Sequence, residues 1–180
     1  MKNMRLVITG PVGAGKSTFV RTASEIEVVQ IERTVTNGIS REKQETTVAF
    51  DFGKVKFGPD LDLHIYGTPG QSRFDFMWDI LIQDAQAYIL LVAAHRPDDL
   101  PDARSILSFM EQRVEIPMII GLTHMDCSGA LSVEEIVLQL GYVTDKNCPP
   151  IVTVNPNLRV SVLNTLMTSM ELLIPGCDRC

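Results

Sequence analysis

Eight residues near the beginning of the chain have the types and spacing that hold phosphate groups. Residues 10–17 read Gly-Pro-Val-Gly-Ala-Gly-Lys-Ser, a G-x-x-x-x-G-K-S pattern placed between a β-rich run and a helical stretch. Its glycines let main-chain N–H groups approach phosphate oxygens, Lys16 brings a charge to the β- and γ-phosphates, and the Ser17 hydroxyl can ligate Mg²⁺. We therefore predict a nucleoside triphosphate site formed by Gly10, Gly13, Ala14, Gly15, Lys16, Ser17 and Thr18.

The elements that must position this loop alternate between apolar strands and helices. Strands are predicted at residues 4–9, 47–57, 61–66, 88–93, 117–122 and 151–154, and helices at 16–24, 73–83, 97–113 and 158–173. A further helix is predicted after Ser132, which forms a capping box with Glu135. Apolar strands separated by helices are typical of a largely parallel sheet covered on both faces. We expect an α/β P-loop NTPase fold with a six-stranded mixed sheet and about five flanking helices.

Turn residues refine this topology. Gly58-Pro59-Asp60 joins the second and third strands as a hairpin, so one antiparallel strand is expected at the sheet edge. Residues 32–45 are polar, with Asn37-Gly38 in their middle, and are predicted to form a long irregular loop. Ligands of such folds bind beyond the carboxyl ends of the strands. Five loops should therefore converge on one site, those after Thr9, Tyr66, Ala93, Leu122 and Val154.

Composition limits the classes of protein to consider. The 180 residues suit one domain, predicted as residues 1–174 with a tail at 175–180. The net charge of −6 argues against a nucleic-acid-binding protein. No apolar run is long enough for a transmembrane segment, no cleavable signal peptide is expected, and four dispersed cysteines do not form a disulfide framework. We therefore expect a cytoplasmic protein.

Two cysteines close to the end of the sequence form a C-x-x-C pair, Cys177 and Cys180. Such a pair can be half of a metal site, a redox pair or a lipid attachment point. No second C-x-x-C accompanies it, and the last four residues are not a C-a-a-X box. Two reduced thiols on a frayed tail are the favoured interpretation.

Two further stretches make the chain resemble a small Ras-like GTPase of the bacterial Rab/Arf-like type. Residues 46–53 read T-T-V-A-F-D-F-G, and residues 67–71 read G-T-P-G-Q, a switch sequence of that type. The resemblance implies that Thr47 completes Mg²⁺ coordination and touches the γ-phosphate, and that Gly70 donates its N–H to the same phosphate. It implies that Gln71 orients the attacking water, so that Gln71, Lys16 and Thr47 are the catalytic residues. Thr47 could instead merely begin an edge strand, and Gln71 could be an ordinary loop residue.

The chain departs from this family pattern at two places. Gly67 stands where an aspartate usually holds Mg²⁺ through water, and Asp62 is expected to face the other side of its strand, so metal affinity should fall. Thr123-His124-Met125-Asp126 stands where guanine recognition normally uses N-K-x-D. The Asp126 carboxylate can accept hydrogen bonds from guanine, and the imidazole of His124 can stack on a purine, although the segment could also be a plain polar turn. Asn155 could bind the base or, as the favoured interpretation, cap the final helix.

The resemblance implies a GTP-binding switch that slowly hydrolyses GTP to GDP, using Mg²⁺ and switch loops at residues 32–47 and 67–78. Arg73 is not an obvious finger residue, so slow turnover and dependence on a partner are expected. The resemblance implies a GAP-like or roadblock-type protein as that partner. A patch after the switch suits such a partner, formed by Phe74, Phe76, Met77 and Trp78. A degenerate module that binds GTP or ATP with little hydrolysis is the alternative. A small P-loop kinase ranks last, because no lid-length insertion with clustered arginines is present.

Overall fold

The computed structural model describes residues 2–36, 45–71, 74–142 and 148–173. At residues 2, 32–36 and 45–48 it describes the backbone but not the side chains. Its strands are β1 (Lys2–Thr9), β2 (Val29–Thr36), β3 (Glu45–Phe57), β4 (Leu61–Gly67), β5 (Ala87–Ala93), β6 (Met118–Thr123) and β7 (Ile151–Thr153). Its α-helices are α1 (Lys16–Ala23), α2 (Asp75–Ile82), α3 (Leu100–Glu111), α4 (Val133–Leu140) and α5 (Arg159–Glu171). A short 3-10 turn, Pro97–Asp99, precedes α3.

The strands form one mixed sheet in the order β2-β3-β4-β1-β5-β6-β7. β3 runs antiparallel to both of its neighbours, and every other pairing is parallel. Helices cover both faces: α2, α3 and α4 pack over one hydrophobic cluster, and α1 and α5 pack over the other. This arrangement confirms the predicted α/β P-loop fold.

The described residues contain seven strands where six were predicted, and the additional strand is β2. The prediction of an irregular loop at residues 32–45 was wrong at its two ends. β2 and β3 pair continuously from Val29 opposite Phe52 to Thr36 opposite Glu45. The polar composition of β2 is that of an edge strand whose outer face meets water, and this composition hid it. The antiparallel strand β3 is consequently second from the edge, and residues 37–44 lie outside the described part of the chain.

Local sequence signals explain where α4 begins. The Ser132 hydroxyl accepts a hydrogen bond from the Glu135 N–H at 3.2 Å, and the Glu135 carboxylate accepts one from the Ser132 N–H at 2.8 Å. These hydrogen bonds lower the pKa of Glu135 because they stabilise its ionised form. The predicted capping box is therefore confirmed.

No helix in the described ranges has both the length and the apolar character needed to cross a bilayer. Cys127 is a free thiol. The predicted tail at residues 175–180, with Cys177 and Cys180, lies outside the described part of the chain.

Candidate nucleotide-binding site

The five loops predicted to converge do meet at the carboxyl edge of the sheet. Contacts to the loop after β1 (residues 10–15) come from each of the other four. Arg96, after β5, donates a hydrogen bond to the carbonyl of Val12 at 3.3 Å. The remaining contacts join Gly70 to Val12, Thr123 to Ala14 and Pro156 to Gly15.

The loop at residues 10–17, called the phosphate loop below, has the backbone of an anion cradle. Gly10 has a φ of +142°, and a Cβ atom there would overlap the carbonyl oxygen of Leu91 in β5. Only glycine fits at this point, where the chain leaves the sheet. The loop then enters α1 directly at Lys16, so that unpaired N–H groups of the first helical turn point back into the loop. The loop and the first turn of α1 contain all of the predicted phosphate-binding residues, and their binding of nucleotide stays a prediction.

Lys16 is buried in the centre of the cradle, with 8% of its surface exposed. Its Nζ donates hydrogen bonds to the carbonyl oxygens of Gly10 at 2.8 Å and Pro11 at 2.6 Å. Burial lowers the pKa of Lys16 to about 8, and the negative charge of Asp51 only partly opposes that effect. The cradle thus holds a buried cation with neutral hydrogen-bond partners, an arrangement that a phosphate anion would complete.

Gly70 lies against the phosphate loop. A Cβ atom at this position would be 2.7 Å from the Val12 nitrogen and 2.8 Å from Lys16 Nζ, so no other residue could come this close without displacement. Two hydrogen bonds hold the segment before it: Thr68 Oγ1 to Thr9 Oγ1 at 3.0 Å, and Trp78 Nε1 to the Pro69 carbonyl at 2.8 Å. Gly70 therefore lies against the phosphate loop, and its hydrogen bond to the γ-phosphate stays a prediction. Gln71 follows it and is exposed.

Thr47 is not brought to the cradle by the backbone described here. It lies within β3, paired with Thr34 of β2. Asp51, four residues further along β3, pairs with Gly67 at the end of β4. Extended strand geometry puts the Cα atoms of Thr47 and Asp51 about 13 Å apart. The side chain of Thr47 is outside the described part of the structure, and its role in binding Mg²⁺ stays a prediction.

A cavity of about 450 Å³ opens between the loops that follow β6 and β7. Its size is within the range of small-molecule sites. The exposed Asp126 lines it, together with His124 and Asn155. Three residues of the predicted base-recognition segments therefore lie close together at one end of the phosphate loop: His124, Asp126 and Asn155. Thr123 does not line the cavity.

Thr123 is fully buried and supports the loops instead of facing the cavity. Its Oγ1 lies 3.0 Å from the carbonyl of Ala14 in the phosphate loop and 3.3 Å from that of Val92 in β5. The hydroxyl therefore links β6 to the cradle. Thr123 does not line the cavity, and its predicted part in nucleotide binding stays a prediction.

His124 is held by its own neighbours. Its backbone has a φ of 59°, its Nδ1 lies 2.9 Å from Thr123 Oγ1, and its ring packs on His95 with centroids 4.5 Å apart. Desolvation, and then the nearby charge of His95, lower the pKa of His124, so its ring is neutral near pH 7. A neutral ring at the mouth of the cavity can still pack against a purine.

Asn155 does not cap the final helix, which corrects the favoured interpretation. Its Oδ1 accepts a hydrogen bond from the Asn157 N–H at 3.0 Å and closes the turn before α5. The helix begins after Leu158, and no side chain caps it. Asn155 remains at the wall of the cavity, where its N–H donates to Ser161 Oγ at 2.9 Å.

Sequence reasoning missed two charged residues at the site. Asp51 is 9% exposed and is the acidic group that acts on Lys16. The guanidinium of Arg96 lies over Gly13, where a Cβ atom would overlap its Nη1, and its Nε is 2.9 Å from Asp99. A signal for Arg96 existed, because it follows β5 directly and so had to lie at the carboxyl edge.

Half of the predicted partner patch is buried. Met77 and Trp78 belong to the core, while Phe74 and Phe76 are half-buried beside it. A cavity of about 300 Å³ remains between α2 and α3, with Gly70 and Trp78 in its wall. The segment that touches the phosphate loop therefore also borders an open surface. Arg73 lies outside the described residues.

Comparisons with known proteins agree with this geometry. Residues 27–174 match a family described as conserved hypothetical ATP binding protein. The chain is 28% identical to ADP-ribosylation factor-like protein 8b of Arabidopsis thaliana over 143 residues, which cover 78% of this chain and 71% of that protein. It is 26% identical to ADP-ribosylation factor-like protein 1 of Saccharomyces cerevisiae over 149 residues, covering 81% and 74%. The structure of the Arl6 BBS3 small GTPase of Trypanosoma brucei with bound GppNp superposes with a TM-score of 0.71 at 16% identity, covering 94% of this chain and 96% of that chain.

Proposed function

The chain belongs to the family of conserved hypothetical ATP binding proteins, and within that family we propose that it works as a GTP-binding molecular switch. The switch slowly hydrolyses GTP to GDP and phosphate. Residues 32–47 and 67–78 report the state of the nucleotide to protein partners. The fold supports this proposal, because it is the fold of a small GTPase of the Arf-like type.

The observation that carries the proposal is the contact between Gly70 and Lys16. Lysine at this position of a phosphate loop binds the β- and γ-phosphates. A Cβ atom on Gly70 would lie 2.8 Å from Lys16 Nζ and 2.7 Å from the Val12 nitrogen, so a third phosphate bound at Lys16 would compete with this segment for space. A diphosphate and a triphosphate therefore favour different positions of the segment that contains Gly70, which is what a switch requires.

Guanine is the proposed base because of Asp126. A carboxylate in the cavity can accept hydrogen bonds from N1–H and the exocyclic amino group of guanine, whereas adenine offers no such donor pair and would leave the carboxylate unpaired. ATP is the second candidate, because the family description names ATP and the segment from Thr123 departs from the usual guanine pattern.

Competition between nucleotides tests this choice. GTP and ATP are titrated against a fluorescent methylanthraniloyl-GDP complex of the purified protein. We expect GTP and GDP to displace the probe at far lower concentration than ATP does. Equal displacement by ATP would favour the second candidate, and no binding of any purine nucleotide at millimolar concentration would contradict the proposed function itself.

Mg²⁺ is the proposed cofactor, and part of its binding site can be named. Ser17 at the beginning of α1 is exposed within the cradle and can supply a hydroxyl oxygen, and Thr47 is the second proposed ligand. The described residues contain no cluster of three His, Cys, Asp or Glu side chains that could hold a metal alone. This donor set fits Mg²⁺, which takes few protein ligands and is completed by phosphates and water. When bound, Mg²⁺ neutralises charge on the β- and γ-phosphates.

Gln71 is the proposed water-orienting residue, and its substitution tests the hydrolytic step. Single-turnover hydrolysis of GTP should slow by about tenfold or more in Gln71→Leu, because the attacking water loses its hydrogen-bond partner. Gln83→Leu is the matched control, since Gln83 is an exposed glutamine at the end of α2. GDP affinity should be the same in both variants. An unchanged rate in Gln71→Leu would favour the alternative, a binding module without a catalytic glutamine.

We further propose that a GAP-like or roadblock-type regulator binds the surface beside α2. The cavity between α2 and α3 and the half-buried Phe74 and Phe76 support this location. A cytoplasmic setting is proposed from the sequence, whose four dispersed cysteines do not form a disulfide framework.

A further inference from the structure

The end of β4 lacks a carboxylate that a nucleotide-bound magnesium ion would normally use. In phosphate-loop proteins the ion is held by the loop hydroxyl and by an aspartate of the sheet. Here β4 ends in Gly67, beside the phosphate loop. Asp62, the nearest acidic residue earlier in β4, is buried in an ion pair with Lys54 at 2.6 Å. It is also five residues away on the opposite face, so it cannot serve this site.

Asp51 of the neighbouring strand lies where a side chain at position 67 would begin. The two residues are directly paired between β3 and β4. A Cβ atom on Gly67 would be 3.4 Å from Asp51 Cβ and 3.5 Å from its Oδ2. It would also touch Val20 of α1 at 3.2 Å, so both positions face the helix that begins with Lys16 and Ser17.

Among the described residues, the Asp51 carboxylate has no ion-pair partner. It is 9% exposed, and within the described residues it accepts no hydrogen bond and has no cation within ion-pair distance. Lys16 is the charge that acts on it from further away. Buried carboxylates are normally paired, hydrogen-bonded or engaged with a metal ion. Asp51 is therefore a mostly buried residue whose carboxylate lone pairs are not used by hydrogen bonds of the described residues, as a cation site requires.

We propose that Asp51 supplies from β3 the negative charge that β4 lacks, and so holds Mg²⁺ beside Ser17 and the nucleotide phosphates. This inference rests on the proposed function, because the ion is brought to the site with the nucleotide. Asp51 of β3 would thus take the role of the aspartate that is absent at Gly67 of β4.

The experiment measures how strongly Mg²⁺ tightens nucleotide binding. The dissociation constant of methylanthraniloyl-GDP is determined with excess EDTA and with saturating Mg²⁺, and the ratio of the two is compared between variants. We expect Asp51→Asn to lower this ratio by about tenfold or more, with the EDTA value unchanged or slightly tighter. Asp51→Glu, which keeps the charge, should retain more of the ratio than Asp51→Asn does.

A charge relocation distinguishes metal binding from a purely structural role. The double variant D51G/G67D moves the carboxylate to β4, where the backbone of Gly67 has no positive φ and the removal of Asp51 makes room. In this double variant, the ratio of the dissociation constants with EDTA and with Mg²⁺ should return most of the way to that of the unaltered protein. Asp62→Asn removes another buried carboxylate of the same sheet and should leave the ratio unchanged. Thermal unfolding of each variant identifies those that are folded.

This inference would be overturned if Mg²⁺ tightened GDP binding in folded Asp51→Asn as much as in the unaltered protein. It would also be overturned if the folded double variant bound GDP but showed no more tightening by Mg²⁺ than Asp51→Asn does. In both cases the proposed function stands, because GDP is still bound. If the unaltered protein binds no guanine nucleotide even at millimolar concentration, the proposed function fails first, and this inference fails with it.

Discussion

Replacing Lys16 with alanine should weaken the binding of GTP and GDP by about a hundredfold or more, because a buried charge-assisted contact with the phosphates is lost. Lys16 is 8% exposed and already lies inside the cradle, where its Nζ donates hydrogen bonds to two loop carbonyls. Titration calorimetry with each nucleotide measures the loss. Lys56→Ala is the control, since Lys56 is an exposed lysine of β3 and should bind nucleotide normally.

The same lysine makes binding depend on pH. Burial lowers the pKa of Lys16 to about 8, whereas contact with phosphate must raise it, so binding takes up a proton above pH 8. Affinity should therefore fall by up to tenfold per pH unit above about pH 8 in the unaltered protein. In Lys16→Ala that dependence should be absent. Without nucleotide, the free energy of unfolding should rise between pH 8 and 10.5, because the unfolded chain holds the proton that the native protein has lost. A pH-independent affinity would show that Lys16 does not contact the phosphates.

Replacing Asp126 with asparagine should reduce GTP affinity by about a hundredfold, because two hydrogen bonds to a charged acceptor are lost. An amide also presents a donor where guanine has its amino group, whereas xanthine has a carbonyl there. The variant should consequently bind xanthosine triphosphate better than GTP. Competition titrations with GTP, XTP and ATP measure this reversal.

Asp98→Asn is the matched control, since Asp98 is exposed on the turn before α3 and away from the cavity. It should keep the preference of the unaltered protein. If Asp126→Asn binds GTP and XTP as the unaltered protein does, Asp126 does not face the base, and guanine recognition would have to come from another residue.

The core of the site could be predicted from sequence because the information is local. The pattern at residues 10–17 carries its own turn glycines, its lysine and the beginning of a helix, and the loop forms as predicted. Alternating apolar strands and helices were also enough to place five loop ends together, since all parallel strands end at one edge.

Pairing between strands could not be predicted in the same way. β2 was missed because its residues are polar on the outer face, and only the ladder from Val29 to Thr36 with β3 shows that it is a strand. The sequence placed Thr123 in the nucleotide-binding segment, but only the fold shows that its buried hydroxyl contacts the Ala14 carbonyl. The pairing of β2 and the contact of Thr123 both depend on residues that are distant in the sequence.

The sequence by itself determined that this protein has a phosphate loop, an α/β sheet and a glycine-rich segment at residues 67–71, because each follows from a few neighbouring residues. The tertiary structure decided which charges lie close to the phosphate loop. Arg96 reaches Gly13, and Asp51 reaches the space beside Gly67, only through the order and register of the strands. Strand register is set by packing and hydrogen bonds across the whole sheet, so no stretch of sequence contains it alone.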